Sequence, residues 1–249
     1  EWTGCKSKVI WVQPRITPKE LAAIVHQELR SVDAVTEVYY ENQDRFSLTL
    51  QKESTILSPH SAPKTMVFSG GARGVTAEVA KGFIRHGCNT VFLLGRTSPA
   101  PEVVDLVLEK DRIKSDLRQT GSKVTPLMVE QRLNEIRKQQ TVLQNINDMK
   151  ALGANVTFIQ TDIANRISVT DAFNQITNTG LNIDVVVHGA GSEESKPLGQ
   201  KDLAAFRRIY HSKVQGALNI LDSIPASTFF LSMGSIAGRF GNQGQGDYS

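Results

Sequence analysis

The sequence predicts an α/β protein: a Rossmann-like, doubly wound parallel sheet that is truncated at the C-terminus, with a small N-terminal α+β lobe. Two observations predict this fold. From residue 65 onwards, short apolar segments alternate with longer segments of helical periodicity, which is typical of the strand–helix units of a parallel sheet. Before residue 60, one helical segment stands among three short strand-like segments. Residues 58–63, rich in proline and serine, separate the two patterns and are interpreted as a linker.

In the N-terminal lobe, residues 8–13 predict a short strand. Thr17 offers an N-cap and Pro18 suits the first helical position, so we predict a helix from there to about residue 30. Residues 35–40 and 45–51 predict two further strands around the polar turn at 41–44. The lobe shows no recognisable site chemistry, so residues 1–60 are expected to form a structural subdomain.

The larger part, residues 65–249, is expected to be a catalytic domain. Its strands are predicted at 65–69, 89–94, 155–160, 183–188 and 228–232. One helix is predicted to end near residue 86, and two others are predicted at 169–177 and 201–221. Residues 99–151 are charged, helix-favouring and too long for an ordinary loop, so they predict a helical insertion. Thr125 and Pro126 indicate where a second helix of that insertion begins.

Composition narrows the classes of function. A net charge of +3 spread along the chain gives no reason to expect a nucleic-acid partner. Cys5 and Cys88 are far apart and no Cys/His cluster exists, so we expect no metal site, no disulfide and a cytoplasmic location. No apolar run approaches the ~20 residues that span a bilayer, so no membrane span is expected.

The ends of the sequence indicate a piece of a longer polypeptide. The chain begins with Glu1 rather than methionine and stops directly after Tyr248. We therefore expect residues 1–249 on their own to be inactive or to fold poorly.

A glycine-rich turn lies between the first strand and the first helix of the larger part. In this context glycines let the backbone approach a pyrophosphate, and the helix N-terminus offers free N–H groups to it. Thr76 replaces the third glycine of the usual fingerprint, and a plain glycine turn before a helix remains the alternative. The candidate dinucleotide-binding residues of this turn are Gly70, Gly71, Ala72, Arg73, Gly74 and Val75.

The residue at the end of the next strand favours NADPH. NAD-binding proteins usually carry Asp or Glu there to hold the ribose 2′-hydroxyl, whereas this sequence has Arg96. A guanidinium can hold a 2′-phosphate bidentately, so Arg96 predicts NADPH rather than NADH. A solvated surface arginine is the alternative.

Two further segments follow the third and fourth strands. Asp162, with Ile163 beside it, is placed to hydrogen-bond an adenine amino group, and a helix N-cap is its alternative role. Small residues after the fourth strand would let the ribose and nicotinamide lie against the sheet; they are Gly189, Ala190 and Gly191. All these features lie at the carboxyl edge of one predicted sheet, which makes the combination more specific than any single feature.

Three residues near the last strand are candidates for ketone reduction. Tyr248 would donate the proton, and a nearby ammonium, from Lys213, would make its phenol easier to deprotonate. Ser235 would hydrogen-bond the carbonyl oxygen. Taken one at a time, each residue has a simpler interpretation: Ser235 as a surface serine, Lys213 as a solvated lysine and Tyr248 as a core tyrosine.

With these residues, 65–248 resemble a short-chain dehydrogenase/reductase, specifically the ketoreductase of polyketide and related synthases. The resemblance rests on Gly-Ser-Ile-Ala-Gly at 234–238, Gly-Asn-Gln-Gly-Gln at 241–245, Tyr248, and a lysine placed upstream of the serine. The glycine turn, the Leu-Leu-Gly-Arg segment at 93–96 and the insertion at 99–151 are most similar to the polyunsaturated-fatty-acid synthase type.

The resemblance implies NADPH-dependent reduction of a 3-ketoacyl chain, carried as a phosphopantetheine thioester on an acyl carrier protein, to the 3-hydroxyacyl thioester. It implies other synthase domains in the same polypeptide as partners. Two alternatives stay open: a free-standing short-chain dehydrogenase acting on a small ketone or alcohol, and a non-catalytic structural Rossmann domain.

Overall fold

The computed structural model describes residues 7–49, 62–119 and 124–248. These residues belong to two compact units, one containing 7–49 and the other 62–248. The sequence predictions for Cys5, residues 50–51, most of the linker and Ser249 lie outside the described residues.

The N-terminal unit is a three-stranded sheet with one helix. Strand β2 pairs in parallel with β1 and antiparallel with β3. Thr17 caps the helix and proline is its first residue, as predicted, and Glu20 completes a capping box with Thr17. The last strand is shorter than predicted, because it ends at Ser47. The elements are β1 (Val9–Val12), α1 (Pro18–Arg30), β2 (Glu37–Glu41) and β3 (Asp44–Ser47).

An ion-pair network lies between helix and sheet in this unit. The buried carboxylate of Glu28 accepts hydrogen bonds from Arg45 Nε at 2.6 Å, from Lys8 Nζ at 2.7 Å and from the Tyr40 hydroxyl at 2.6 Å. The bond from Arg45 is the main cause that lowers the pKa of Glu28 to about 2. This carboxylate is therefore charged and satisfied inside the unit, which is a structural role.

The larger unit is a five-stranded, wholly parallel sheet, which confirms the predicted α/β Rossmann-like class. Its strands are ordered β6-β5-β4-β7-β8. The first strand of the unit lies in the middle, and the chain proceeds to one side and then to the other. At such a reversal the connections leave in opposite directions and open a crevice at the carboxyl ends of the strands. The strands are β4 (Thr65–Ser69), β5 (Thr90–Gly95), β6 (Asn155–Gln160), β7 (Val185–His188) and β8 (Phe229–Ser232).

Helices cover both faces of this sheet. Alternate residues of the fully buried strand β4 point to opposite faces: Met66 and Phe68 belong to one hydrophobic cluster and Val67 to the other. The first cluster also contains residues of α2 (Gly74–Arg85) and α4 (Pro126–Ala151), and the second contains residues of α5 (Arg166–Thr177) and α7 (Gly216–Leu221). Each fully buried aliphatic side chain contributes roughly 1.5–3 kcal/mol, so the two layers stabilise the sheet that carries the crevice.

The predicted insertion is a pair of helices. Thr125 caps α4 and Pro126 is its first residue, as predicted. The first half of α4 packs on α3 (Leu106–Gln119) around Ile113, Leu117, Val129 and Leu133. Its second half returns to the main core, where Asn145 Nδ2 donates to the carbonyl of Ala72 at 3.0 Å. The insertion therefore braces the glycine-rich turn.

The helix predicted at 201–221 is not one continuous α-helix, and this prediction was wrong in detail. Asp202 caps α6 (Leu203–Tyr210), which passes into a π-helical turn, His211–Gln215, before α7 begins. A 3₁₀ turn precedes it at Leu198–Gln200, and a short helix, α8 (Ala237–Phe240), follows β8; neither was predicted. Within the described ranges, no helix is long and apolar enough to cross a membrane.

Candidate active site

A cleft of about 930 Å³ lies at the carboxyl ends of β4, β5, β6 and β7. This volume falls in the range of ligand sites. The structure brings most of the predicted site residues together there, from six separate segments of the chain. Those that line the cleft are Gly70, Ala72, Arg73, Gly74, Val75, Arg96, Asp162, Ile163, Gly189, Ala190, Gly191, Lys213 and Tyr248.

The glycine-rich turn has the backbone that a phosphate-binding turn needs. Gly70 has φ +72°, and a Cβ there would lie 2.8 Å from the Cα of Ala190. Gly74, with φ +61°, begins α2, and its N-cap residue Arg73 makes no side-chain capping hydrogen bond. The first turn of α2 therefore has no side-chain acceptor at its cap, and its residues line the cleft, where the helix dipole favours an anion.

Gly71 does not line the cleft, although it belongs to the described turn. A Cβ at this position would lie 2.4 Å from the Cβ of Phe68 and 3.0 Å from Leu93 Cδ2. The glycine lets the turn fold tightly onto the end of β4. Its contribution to the turn is therefore one of packing beneath the cleft.

Thr76, where the usual fingerprint has its third glycine, is accommodated by a glycine elsewhere. Its side chain is buried against the end of β7, and a Cβ on Gly189 would lie 2.3 Å from Thr76 Oγ1. The side chain is therefore on α2, at Thr76, and the glycine that makes room for it is on the sheet side, at Gly189. The close approach of α2 to the sheet is kept without the third glycine.

Two arginines contribute positive charge to the cleft. Arg73 and Arg96 are exposed and line the cleft, and neither forms an ion pair with any residue in the described ranges. Arg96 follows β5, and its carbonyl accepts a hydrogen bond from Gln160 Nε2 at 3.2 Å. Both guanidinium groups are free to meet an anionic group of a ligand.

Asp162 and Ile163 follow β6 as expected. The Asp162 carboxylate accepts from the N–H of Ala164 at 3.1 Å, while Asn165 caps α5. Asn165 rather than Asp162 is therefore the N-cap of α5, while the Asp162 carboxylate caps the turn that precedes this helix. Ile163 is buried, and its carbonyl accepts from Asn219 Nδ2 at 3.0 Å, so the segment is held against the helix that follows the π-helical turn.

Lys213 enters the cleft from the π-helical turn. Its ammonium donates to the carbonyl of Met233 at 2.9 Å, and burial lowers the pKa of its amine. A Cβ on Gly191 would lie 2.7 Å from Lys213 Cε, so the glycine makes room for the lysine stem. A partly desolvated ammonium interacts more strongly with a neighbouring anion than a solvated one does.

Tyr248 lines the same cleft as Lys213 and lies at the end of a loop that is tied to the segment before α6. Lys201 forms a buried ion pair with Asp247, Nζ to Oδ1 at 2.5 Å, and also donates to the carbonyl of Glu194 at 3.3 Å. The N–H of Lys196 donates to the carbonyl of Gly244 at 3.0 Å. These contacts fix the residue that precedes Tyr248.

Ser235, although within the described chain, is not among the residues that line the cleft. It lies two residues before α8, and its Oγ accepts from the N–H of Ala237 at 3.1 Å. A hydroxyl that accepts one bond keeps its proton for another acceptor. Its neighbours Met233 and Gly234 do line the cleft, so Ser235 lies beside the site.

Sequence reasoning missed His188, the last residue of β7. The imidazole is fully buried, and burial lowers its pKa to about 4. Its Nδ1 lies 2.7 Å from Ser69 Oγ and its Nε2 lies 3.0 Å from the carbonyl of Lys213. Only the position of a histidine at a strand end could have drawn attention to it. Among the described residues, no group of three His, Cys, Asp or Glu side chains is placed to hold a metal ion.

The fold and the cleft define an α/β protein of the short-chain dehydrogenase/reductase type, with its site at the reversal point of a parallel sheet. A family model, the KR domain, matches residues 64–249. The chain therefore belongs to the KR, or ketoreductase, domain family, which confirms the resemblance seen in the sequence.

The relatives include large synthases. The chain is 24% identical over 262 aligned residues to polyketide synthase PksL of Bacillus subtilis (strain 168), covering all of this chain and 5% of PksL. It is 26% identical over 187 residues to erythronolide synthase EryA3 of Saccharopolyspora erythraea, covering 74% of this chain and 5% of that protein. The chain thus spans about a twentieth of the length of these relatives.

Solved structures share the fold. An N-terminal ketoreductase from the macrolactin assembly line superimposes with a TM-score of 0.67 at 16% identity, over 97% of this chain and 42% of that one. A ketoreductase domain from the bacillaene assembly line gives a TM-score of 0.68 at 19% identity, over 98% of this chain and 50% of that one. At these identities the likeness establishes the architecture.

Proposed function

We propose that this domain uses NADPH to reduce a 3-ketoacyl chain, carried as a phosphopantetheine thioester on an acyl carrier protein, to the 3-hydroxyacyl thioester. The ketone, NADPH and one proton give the secondary alcohol and NADP⁺. The observation that carries the proposal is that Lys213 and Tyr248 line the same cleft as the glycine-rich turn and Arg96. The proposed proton donor and the proposed dinucleotide-binding turn thus line one cleft.

The residues present fit a dinucleotide. The positive-φ glycine Gly70 approaches the backbone of Ala190 so closely that any Cβ would clash, and the uncapped start of α2 opens into the cleft. These groups would bind the pyrophosphate, and the small residues after β7 would leave room for the ribose and nicotinamide. When bound, the reduced nicotinamide supplies the hydride.

The choice of NADPH is supported by the two cleft-lining arginines. Arg73 and Arg96 have no acidic partner among the described residues, and Arg96 follows the strand whose end usually contacts the adenosine ribose. A 2′-phosphate would meet both guanidinium groups. NADH carries no such phosphate and would leave their charge unused.

Tyr248 would donate its phenolic proton to the ketone oxygen as the carbonyl carbon is reduced. The ammonium of Lys213 would stabilise the resulting phenolate, since an opposite charge stabilises an anion. Ser235, whose hydroxyl proton is not used by its bond with Ala237, would hydrogen-bond the same oxygen and orient it. A proton from solvent would then restore the phenol.

The carrier-bound substrate is supported by the relatives, which are multidomain polyketide synthases. By the same reasoning, other synthase domains in one polypeptide are the proposed partners, in a polyketide or polyunsaturated-fatty-acid synthase. We also propose residues 1–60 as a structural subdomain and residues 65–249 as the catalytic domain. Glu193 and Glu194 also line the cleft.

The test is the loss of NADPH absorbance with the full-length protein and three substrates: a 3-ketoacyl carrier protein, a 3-ketoacyl pantetheine thioester and a small cyclic ketone. We expect the thioesters to be reduced much faster than the cyclic ketone. Tyr248→Phe should lose about 10²–10⁴-fold in kcat, the usual contribution of general acid catalysis. Tyr39→Phe, a substitution at an exposed tyrosine of the N-terminal unit, is the matched control.

Three results would count against this function. A Tyr248→Phe protein as active as the control would remove the mechanism. Faster reduction of the small ketone would favour a free-standing dehydrogenase. Absence of turnover with every substrate, in a protein that binds NADPH, would favour a non-catalytic role.

A further inference from the structure

A fully buried histidine connects the central strand of the sheet to the segment that carries the lysine of the site. His188 ends β7, and its ring lies between Ser69, which ends β4, and the backbone of Lys213. The ring stacks on Phe230 with centroids 6.4 Å apart. Gly216 also packs closely on the ring, since a Cβ at this position would lie 3.2 Å from His188 Cε1. The imidazole therefore has one place and one orientation.

The two hydrogen bonds of the ring fix its protonation. The carbonyl of Lys213 can only accept, so Nε2 of His188 carries the proton in their 3.0 Å bond. Burial keeps the ring neutral at neutral pH, because it lowers the pKa of His188 to about 4. Nδ1 is then an acceptor, and the Ser69 hydroxyl donates to it at 2.7 Å. Ser69 Oγ in turn accepts from the N–H of Ala190 at 3.4 Å, which completes a consistent chain of donors and acceptors.

This series of hydrogen bonds ends at the carbonyl of Lys213, which lies in a π-helical turn. The N–H of Gly216 donates to the carbonyls of both His211 and Lys213, which is not the α-helical pattern. π-Helical turns are rare, are less stable than α-helix and occur often at functional sites. A turn of this kind needs support from outside the helix. The Nε2–H of His188 gives that support at the carbonyl of the residue whose ammonium enters the cleft.

We propose that His188 is a positioning residue for Lys213. Its Nε2–H holds the Lys213 carbonyl in the π-helical turn, and this sets the direction in which the ammonium passes Gly191 and reaches the cleft. The proposal deepens the proposed function, since it states how the lysine of that site is aimed. It assigns His188 no contact with substrate or cofactor.

Two substitutions at His188 distinguish the effect of its hydrogen bond to the Lys213 carbonyl from the effect of its packing on Phe230. The amide nitrogen of Gln can occupy the place of the imidazole Nε2, so His188→Gln keeps a donor for the Lys213 carbonyl. The shorter Asn reaches only the place of Nδ1, so His188→Asn keeps a partner for Ser69 and loses the donor to Lys213. Both remove the ring from Phe230 and should destabilise the fold to a similar extent.

The first measurement is kinetic, in the full-length protein. We expect kcat of His188→Asn to fall by about 100-fold, the effect of misplacing a catalytic group by about 1 Å, with little change in the Kd for NADPH. His188→Gln should restore most of kcat. Equal kcat values for the two variants would overturn the proposal, because only packing would then matter.

The second measurement needs neither turnover nor cofactor, so it separates this proposal from the proposed function. In protein labelled with ¹³C-lysine, the Lys213 ε-carbon resonance is assigned by its loss in Lys213→Met. We expect His188→Gln to leave this resonance in place and His188→Asn to shift it. A resonance unmoved in His188→Asn would contradict the aiming role even if ketone reduction is confirmed.

The third measurement uses the unsubstituted protein and does not depend on whether a variant folds. With ¹⁵N-histidine, the His188 ring should show the neutral tautomer protonated at Nε2 at neutral pH. A ring protonated at Nδ1, or at both nitrogens, could not make the chain from Ser69 to Lys213 as described and would overturn the proposal.

Discussion

The contact between Thr76 and Gly189 predicts a strong and reciprocal sensitivity to substitution. A methyl group on Gly189 would lie 2.3 Å from Thr76 Oγ1 and 2.5 Å from Thr76 Cγ2, closer than heavy atoms of side chains approach. Thr76 is 6% exposed, so its side chain has little space to turn away. In Gly189→Ala, either α2 or the end of β7 must therefore shift.

The size of the effect follows from that geometry. Inserting a methyl group into a well-packed region costs roughly 1–3 kcal/mol in the free energy of unfolding. Thr76→Gly removes the clashing atoms, but it costs roughly a few tenths of a kcal/mol in helix propensity and also loses the packing of the buried threonine side chain. The double variant should be more stable than the sum of the two single changes, with a coupling of about 0.5–3 kcal/mol.

Urea unfolding of the full-length protein, followed by a probe of this domain, measures these values. Gly82→Ala is the matched control, since a Cβ at this position in α2 would meet nothing within 4 Å. It should stabilise the domain by about 0.5–1 kcal/mol. If Gly189→Ala is as stable as the parent protein, or if Thr76→Gly gives it no relief, the packing argument is wrong.

Three further predictions follow from single contacts. Arg96→Ser should weaken NADPH binding by about 10- to 100-fold, the strength of a hydrogen bond to a charged group, and leave NADH binding unchanged; equal losses for both would contradict the 2′-phosphate role. Lys201→Met and Asp247→Leu should each cost about 3–5 kcal/mol in the free energy of unfolding by urea, because each leaves one buried charge unpaired, and the double Lys201→Met/Asp247→Leu should cost much less; additive losses would refute this. Burial lowers the pKa of His188 to about 4, so between about pH 6.5 and 4 the histidine binds a proton in the unfolded chain but not in the folded one. As the pH is lowered from about 6.5 to 4, the free energy of unfolding should therefore fall by about 3 kcal/mol, and it should fall by less in His188→Gln.

The parts of the fold that were predicted are those with local causes. Strands β4 and β6 have the predicted bounds because each is a short apolar or alternating run that begins and ends at polar or glycine residues. Helices α1 and α4 begin where predicted because Thr17 and Thr125 cap them and proline follows each cap. Such signals are complete within a few residues of sequence.

The π-helical turn could not be predicted from residues 201–221. The segment has ordinary helical periodicity, and the hydrogen bond that supports the turn comes from His188 at the end of strand β7. The replacement of a glycine by Thr76 has the same character, because its compensation at Gly189 depends on which strand lies beside α2. Contacts between distant segments decide both features.

The site was predicted in outline for a physical reason. Parallel strands bring the residues that follow their carboxyl ends to one edge, so the segments after β4, β5, β6 and β7 meet once the fold class is known. Gly71 and Ser235 lie beside that cleft rather than in its lining, which depends on the detailed path of two turns. The catalytic and cofactor roles stay predictions.

The most direct test of the central claim is the transfer of label from cofactor to product. NADPH deuterated at the transferred position of the nicotinamide is incubated with the full-length protein and a 3-ketoacyl thioester, and the product is analysed by mass spectrometry. The account predicts one deuterium at C3 of the 3-hydroxyacyl chain and its loss in Tyr248→Phe. A 3-hydroxyacyl product without deuterium, or no such product from a protein that binds both ligands, would contradict it.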